Sequence, residues 1–508
     1  MEESRTLNTS KNVLTGLINK IVLLILLFVS RKIFTVYIGI EYLGINGLFS
    51  NILTILSLAD LGFGIAMSYS YYRPLAENDE EKLAALVNFY KRIYNIIALT
   101  VLIIGISVIP FLKYIINTDQ PIKHLYIYYL IALSNTVVSY LFVYKSTIIS
   151  ADQKSYLINK YNIYVSIGRI IVQIISMIIL KSYMIYAIIE VCGTIANNLI
   201  ISNVADSNYP YIKKKVKLDK ATKIDIFTNM KSVFLYKVSG SIMSGTDSII
   251  MSSIVGTTSV GLYSNYLTIT NQLISFVQIL FSSVTASIGN LIIEDVSNKN
   301  YKVFCVMQMI SHIISGFVAV CLFTLLNDFI DLWLGPQYSM GTLMAFSVAA
   351  NTYFTIALQP IWSYRDASGL YNKTKYVMLI TAIVNIILSI IMGIYMGAAG
   401  IILATVISRM VTYFWYEPYL VYKLYFKQSV SKYYLDFFVS FILIAFSYII
   451  SSMLWNRVCF IGWFGLIVKG LIYGIVILFL FLIRYYHTQE FKFCFIKLHR
   501  LLETLKKM

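Results

Sequence analysis

The sequence predicts an all-α integral membrane protein of about fourteen transmembrane helices, drawn as two parallel-repeat six-helix bundles around a central cavity plus two C-terminal helices. Three observations lead there. Of 508 residues, 58% are apolar and only 13% are charged, too few to cover a soluble exterior. Apolar runs of about 20 residues, the length that crosses a bilayer, recur from end to end. Lys and Arg fall almost entirely on one side of those runs. This composition excludes a soluble enzyme, a DNA-binding domain and a secreted disulfide scaffold.

The spans follow in order. The first, 12–40, comes after a polar N-terminus of mixed charge, and further spans rather than a cleavage site follow it, so no cleavable signal pattern is expected. Spans at 46–70, 86–112, 122–146, 156–181 and 184–205 complete a first bundle, 1–205. A basic linker, 206–225, carries Lys213, Lys214, Lys215, Lys217, Lys220 and Lys223. Spans at 226–255, 259–291, 302–326, 340–364, 373–394 and 398–422 form a second bundle, 226–424. Spans at 433–456 and 462–484 and a basic tail make up 425–508. The runs are too long for barrel strands, which would alternate every ten residues or so.

Charge sets the orientation. With the N-terminus inside, the inner segments hold 31 Lys and Arg, while the outer loops hold Lys113, Lys123, Lys181 and Arg457. Both termini are therefore expected in the cytoplasm. The net charge of +17 is a topology signal that also favours an anionic inner leaflet, and no nucleic-acid partner is expected.

Two stretches resemble each other at an offset of 217 residues: Gly39 to Gly44, leading to Asn51, and Gly256 to Gly261, leading to Thr268. Each is Gly-x4-Gly at an outer turn. Pro210-Tyr211 and Pro418-Tyr419 close the two blocks. Both copies begin inside and hold six spans, the pattern of parallel repeats about an axis normal to the membrane.

Ionisable residues at membrane depth are costly, about 2.5–3.5 kcal/mol on insertion scales, and are functional candidates by default. The cations are Arg31 and Lys32 in span 1, Arg169 in span 5, Lys237 in span 7, Arg409 in span 12 and Lys469 in span 14. The acids are Asp60, Glu190 and Asp247, and His312 lies in span 9. Arg31 and Lys32 are adjacent and point about 100° apart, so one at most aims at a given axis. Two readings stand: Lys32 snorkels while Arg31 packs on an acid, or both face a water-filled cavity and attract an anion. Arg suits phosphate because its planar fork binds two oxygens. Arg169, Arg409 and Lys237 are each either cavity cations or partners of an internal acid, whereas Lys469 is read as structural. Asp247, Asp60 and Glu190 are either ion-coupling carboxylates or fixed counter-ions. His312, alone on an apolar helix, is expected to be a satisfied core residue.

Other signals are slight. Gly393-x3-Gly397 reads as a helix-packing pattern. The 41 Tyr residues are expected near span ends, as interfacial belts. Cys192, Cys305, Cys321, Cys459 and Cys494 are far apart, with no CxxC pair, so neither a metal nor a disulfide is expected. There is no P-loop, HExxH or GxSxG pattern, so uphill transport would draw on an ion gradient, the membrane potential or product consumption.

Several segments together carry a family resemblance. They are Tyr42-Leu43-Gly44-Ile45-Asn46-Gly47-Leu48-Phe49-Ser50-Asn51, Leu56-Ser57-Leu58-Ala59-Asp60-Leu61-Gly62, Tyr71-Tyr72-Arg73-Pro74-Leu75-Ala76, Thr246-Asp247-Ser248-Ile249-Ile250, Val260-Gly261-Leu262-Tyr263-Ser264-Asn265-Tyr266, Leu332-Trp333-Leu334-Gly335 and Tyr364-Arg365-Asp366-Ala367-Ser368-Gly369-Leu370. The chain resembles, over residues 1 to about 425, the Wzx-type polysaccharide repeat-unit flippases of the multidrug/oligosaccharidyl-lipid/polysaccharide exporter superfamily. The resemblance implies two six-helix bundles in a V around a cationic cavity. It implies a substrate of oligosaccharide linked to a polyprenyl diphosphate such as undecaprenyl diphosphate, flipped to the outer leaflet of the bacterial cytoplasmic membrane. A coupling proton or sodium ion, with Asp247 as its first carrier, and other polysaccharide-assembly proteins as partners belong to the same implication. No cofactor is expected.

Three rival classes stand against this reading, of which a scaffold without transport would not need charges at depth. A multidrug or metabolite antiporter exporting cations would want an acidic cavity, against six basic and three acidic residues read at mid-span. A membrane enzyme of polysaccharide assembly would want a large outer loop. The longest here, around 327–339, holds only Asp328 and Asp331 as charges.

Overall fold

The structure is a computed structural model that describes the backbone of residues 5–57, 63–118, 122–293, 297–368, 370–458 and 460–494. Within these, the side chains of 5–19, 63–66, 68–69, 221, 225, 228–237, 244, 282–293, 297–299 and 371–372 fall outside the description. Among the described residues every regular element is helical. Helix is found in each of the fourteen expected spans. The chain packs as two compact units that divide between Gly261 and Leu262.

The first unit holds α1 (Arg5–Tyr37), α2 (Ile40–Leu56), α3 (Phe63–Glu77), α4 (Glu80–Val108), α5 (Leu112–Ile115), α6 (Leu125–Tyr140), α7 (Val143–Ala151), α8 (Ser155–Leu180), α9 (Tyr183–Asn208), α10 (Lys220–Ile254) and the first turn of α11 (Thr257–Ile293). α2 starts earlier than the expected 46 because the turn is made at Gly39, whose φ of 108° only glycine adopts freely. The expected span 122–146 is two helices, α6 and α7, bent by 43°. Asp79 and Asp219 cap α4 and α10, accepting from the amides of Lys82 at 2.9 Å and Thr222 at 2.8 Å. α1 lies along α8, α8 along α9, and α6 against α4 and α9. α10 lies along α2, where a Cβ on Gly245 would stand 2.6 Å from Ile55 Cγ1 and Asn51 Nδ2 donates to Ser248 Oγ at 2.9 Å. Only a glycine permits that approach.

The second unit holds the rest of α11, then α12 (Ser297–Trp333), α13 (Gly341–Ala357), α14 (Gln359–Ala367), α15 (Tyr371–Val411), α16 (Tyr413–Val421), α17 (Ser431–Trp455) and α18 (Gly462–Tyr485). Pro360, with no N–H to continue a helix, stands in the first turn of α14. α15 is one continuous label over two spans. The chain reverses at Gly397 (φ 62°, ψ −149°), between the expected spans 373–394 and 398–422. The Gly393-x3-Gly397 pattern is thus corrected: Gly397 makes a turn, and nothing lies within 4 Å of where its Cβ would be. α18 packs on α12 through reciprocal notches, Gly316 beneath Phe481 and Gly474 beneath Phe317. Lys469 Nζ reaches Asp328 Oδ2 at 2.6 Å, in line with its structural reading.

Eight described helices are long and apolar enough to cross a membrane, nine if the bent pair is one span. Their outward faces are apolar: Ile380, Ile383, Ile387, Ile391 and Ile394 recur along α15 at helical spacing and are exposed. Such a stripe is stable in lipid and not in water. The chain is a multi-pass membrane protein. The tyrosines are not confined to span ends. Tyr71, Tyr90, Tyr94, Tyr129, Tyr266, Tyr364 and Tyr433 are wholly buried, and the hydroxyls of Tyr129, Tyr266 and Tyr364 donate to the Gly105 carbonyl (3.0 Å), Asn327 Oδ1 (2.6 Å) and the Asn300 carbonyl (2.9 Å).

Candidate functional site

Within the first unit, α1, α2, α6, α8 and α9 enclose a cavity of about 360 Å³. Helical spacing brings its polar side chains to one place. Arg169 and Gln173 are one turn apart on α8, and Tyr186 and Glu190 one turn apart on α9. Arg169 forms an ion pair with Glu190 through Nη1 and Oε1. Gln173 Nε2 donates to Glu190 Oε2 at 2.9 Å and to the Tyr186 carbonyl at 3.3 Å. Gly193 makes room, since a Cβ there would stand 2.5 Å from Arg169 Cδ. The Arg169 side chain thus lies in a notch on α9.

The rest of the lining mixes neutral polar, aromatic and aliphatic side chains. Ser30, Asn46, Ser50, Asn135 and Thr136 face the space. Tyr183 donates its hydroxyl to Asn46 Oδ1 at 3.2 Å. Its ring meets Tyr128 edge-on at 4.9 Å, while Phe34 meets Tyr186 at 4.9 Å. Arg169 Nε and Asn135 Oδ1 are buried with no hydrogen-bond partner among the described residues. A donor and an acceptor in the cavity wall are therefore unmet by the described residues, and a polar ligand or water in the cavity would satisfy them.

Of the other expected site residues, Arg31 belongs with this cluster. It is half-buried on α1, and Tyr186 is within electrostatic reach of Arg31, Arg169 and Glu190 together. Lys32, one position on, is exposed and turned off that face. Asp247 is buried on α10, beside the Ser248 that holds Asn51. Asp60 and the Lys237 side chain lie outside the described residues. Arg409 belongs to the second unit. Its Nη1 donates to Asn351 Oδ1 (2.8 Å) and Thr355 Oγ1 (2.9 Å), one turn apart on α13, and its Nε is buried without a partner among the described residues.

Sequence reading passed over several members. Gln173, Asn46 and Asn135 are uncharged and drew no notice, although an amide inside an apolar run is itself a signal. Glu417 and Asp436 are two further acids, near the ends of the expected spans 398–422 and 433–456. Glu417 is buried and accepts from Arg365 Nη1 at 3.2 Å, and Asp436 pairs with Arg484 at 2.5 Å. Each of these acids comes with its own arginine, Arg365 or Arg484, so the excess of cations over acids is unchanged. His312 is the satisfied core residue expected. It is wholly buried, with Gln308 Nε2 at 2.6 Å from its Nε2 and Ser440 Oγ at 3.0 Å from its Nδ1.

No family model matches the chain, and no curated protein matches it. Solved structures do match. The lipid II flippase MurJ, in an inward closed conformation, superposes with a TM-score of 0.65 at 17% identity, covering 94% of this chain and 98% of that one. An inward-facing multidrug resistance MATE family transporter of the MOP superfamily superposes with a TM-score of 0.55 at 14% identity, over 76% and 91% of the two chains. An outward-facing transporter of that family gives 0.54 at 16%, over 81% and 93%. At these identities the likeness is one of fold.

Proposed function

We propose that this protein flips a polyprenyl-diphosphate-linked oligosaccharide repeat unit from the inner to the outer leaflet of the bacterial cytoplasmic membrane. The cycle is alternating access coupled to an ion, with both termini in the cytoplasm, and it serves cell-surface polysaccharide synthesis. The observation that carries the reading is the first-unit cavity, where Arg169, held by Glu190 and Gln173, stands among Asn, Ser, Thr and Tyr side chains. A diphosphate leaving water needs cations, and guanidinium groups give it paired donors. A sugar chain needs alternating amides, hydroxyls and aromatic faces, which this wall supplies. The polyprenyl tail needs no protein cavity, since the lipid beside the helices accepts it. Asp247, buried on α10, is the first candidate to carry the coupling proton or sodium ion. No bond of the substrate is made or broken, so the role is transport rather than catalysis.

The test is complementation of a bacterium lacking its own repeat-unit flippase, with membrane insertion checked for each variant. Surface polysaccharide is expected with the wild type and lost with Arg31→Ala and Arg169→Gln. An inserted wild type that fails with its own polysaccharide locus supplied overturns the reading.

A multidrug antiporter is the second reading. The MATE transporters named above share the fold, and Glu190 is a carboxylate in the cavity wall that a cation could claim. Drug efflux that needs Glu190 and not Arg31 would favour it.

A further inference from the structure

A second cavity, of about 260 Å³, lies within the second unit. It forms where residues 301–309 of α12 and the first two turns of α17 meet the last turn of α18 and the residues after it. α17 begins and α18 ends beside it, so a spanning arrangement of these two helices puts the cavity toward one membrane face. Four charged side chains line it: Lys432, Asp436, Arg484 and Glu490. Arg484 Nη2 is 2.5 Å from Asp436 Oδ1, and Lys432 Nζ is 3.5 Å from Glu490 Oε1, so their charges cancel.

Three further atoms in the lining lack partners. Gln308 Oε1, the Tyr433 hydroxyl and Arg484 Nε are buried with no hydrogen bond among the described residues. Gln308 is 5% exposed and Tyr433 1%. Native proteins rarely leave such atoms unmet, and all three residues line the cavity, from which a partner can come.

We propose that this cavity binds a zwitterionic phosphoethanolamine headgroup, supplied by a membrane phospholipid. Its phosphate takes the Tyr433 O–H and the Arg484 Nε–H beside Lys432. Its ammonium gives its hydrogens to Gln308 Oε1 and the carboxylates of Asp436 and Glu490. An anionic headgroup would bring an unbalanced negative charge to a lining whose own charges cancel. The acyl chains run along the outward faces of α17 and α18, where Leu435, Phe438, Leu482 and Tyr486 are exposed.

The experiment offers delipidated protein equal amounts of phosphatidylethanolamine and phosphatidylglycerol in detergent and counts bound lipid by native mass spectrometry. Phosphatidylethanolamine is expected to be retained in preference. Tyr433→Phe and Gln308→Leu are each expected to lower its retention by about tenfold, the size of one hydrogen bond to a charged group, and to leave phosphatidylglycerol unchanged. Both keep the bulk of the side chain, and thermal unfolding confirms the fold of each. Equal retention of the two lipids, or retention unmoved by both variants, overturns the proposal. Glycerophosphoethanolamine, the same head without tails, identifies the source. Failure to displace the lipid supports a lipid site, and displacement at equal concentration overturns the lipid source in favour of a soluble ester.

Discussion

Gly44 and Gly261 meet backbone to backbone. A Cβ on Gly44 would strike the carbonyl oxygen of Thr257 and stand 3.1 Å from the Gly261 nitrogen, while one on Gly261 would strike the carbonyl oxygen of Ile40 and stand 3.0 Å from the Gly44 nitrogen. The offset that carries Gly44 to Gly261 also carries Ile40 to Thr257. Each contact is thus the image of the other. The glycines that open the two motifs, Gly39 and Gly256, share a positive φ of 108° and 120°.

Adding a methyl at this meeting point forces backbone against backbone, which cannot turn aside as a side chain can. Gly44→Ala and Gly261→Ala are each expected to lower stability by about 1–3 kcal/mol. Thermal unfolding in detergent reads the change. Gly168→Ala, on a helix with nothing within 4 Å, is the control and is expected to be neutral or to stabilise by about 0.5–1 kcal/mol.

The Arg169–Glu190 pair is partly open, with 26% and 32% of the side chains exposed. Arg169→Gln or Glu190→Gln alone is expected to cost about 1–3 kcal/mol, below the 3–5 of a fully buried pair. The double variant is expected to recover part of that loss, and a double-mutant cycle measures the coupling. Under the proposed function the recovered fold still lacks its cation, so surface polysaccharide stays absent. Restored export by the double variant would remove Arg169 from the substrate path.

Glu417 and Arg365 are buried more completely, with 2% and 7% of the side chains exposed. Glu417→Gln takes one carboxylate from the guanidinium, which keeps Asp366 at 2.7 Å. A loss of about 3–5 kcal/mol is expected, visible as reduced yield of folded protein and a lower Tm.

The cap of α10 responds to acid. Hydrogen bonds from Thr222, the backbone amide first, hold the Asp219 carboxyl below its ordinary value. A depressed value means the contribution is fully present above the unfolded value, about 3.9, and is lost as pH falls through the folded one. Amide exchange at Thr222 and its neighbours, corrected for intrinsic rate, is expected to quicken below about pH 4. Asp219→Asn keeps a capping oxygen and is expected to abolish that dependence.

Much of the fold was legible because lipid leaves a chain few options. Runs of apolar residues bounded by lysines mark helices, and Gly39 and Gly256 mark turns. Gly397 was misread because a small residue four places from another serves packing and reversal equally well, and only the φ decides. The candidate site was legible as a set of charged residues but not as a constellation. That Arg169 finds Glu190 depends on α8 lying along α9, which no spacing within either helix states. Glu417 and Asp436 escaped because a boundary uncertain by a few residues moves an acid between membrane and water. Asn135 and Gln173 escaped because attention went to charge, although their amides complete the wall.

The notch at Gly193 has a consequence for any cargo. An arginine usually follows its ligand by swinging a long flexible arm, but here the arm lies along α9 with its Cδ against the glycine and its head on Glu190. Its length is already committed. Under the proposed function Arg169 is a fixed mooring: what it holds would come to it and leave it, and passage across the membrane would then require that the berth itself change which side it faces.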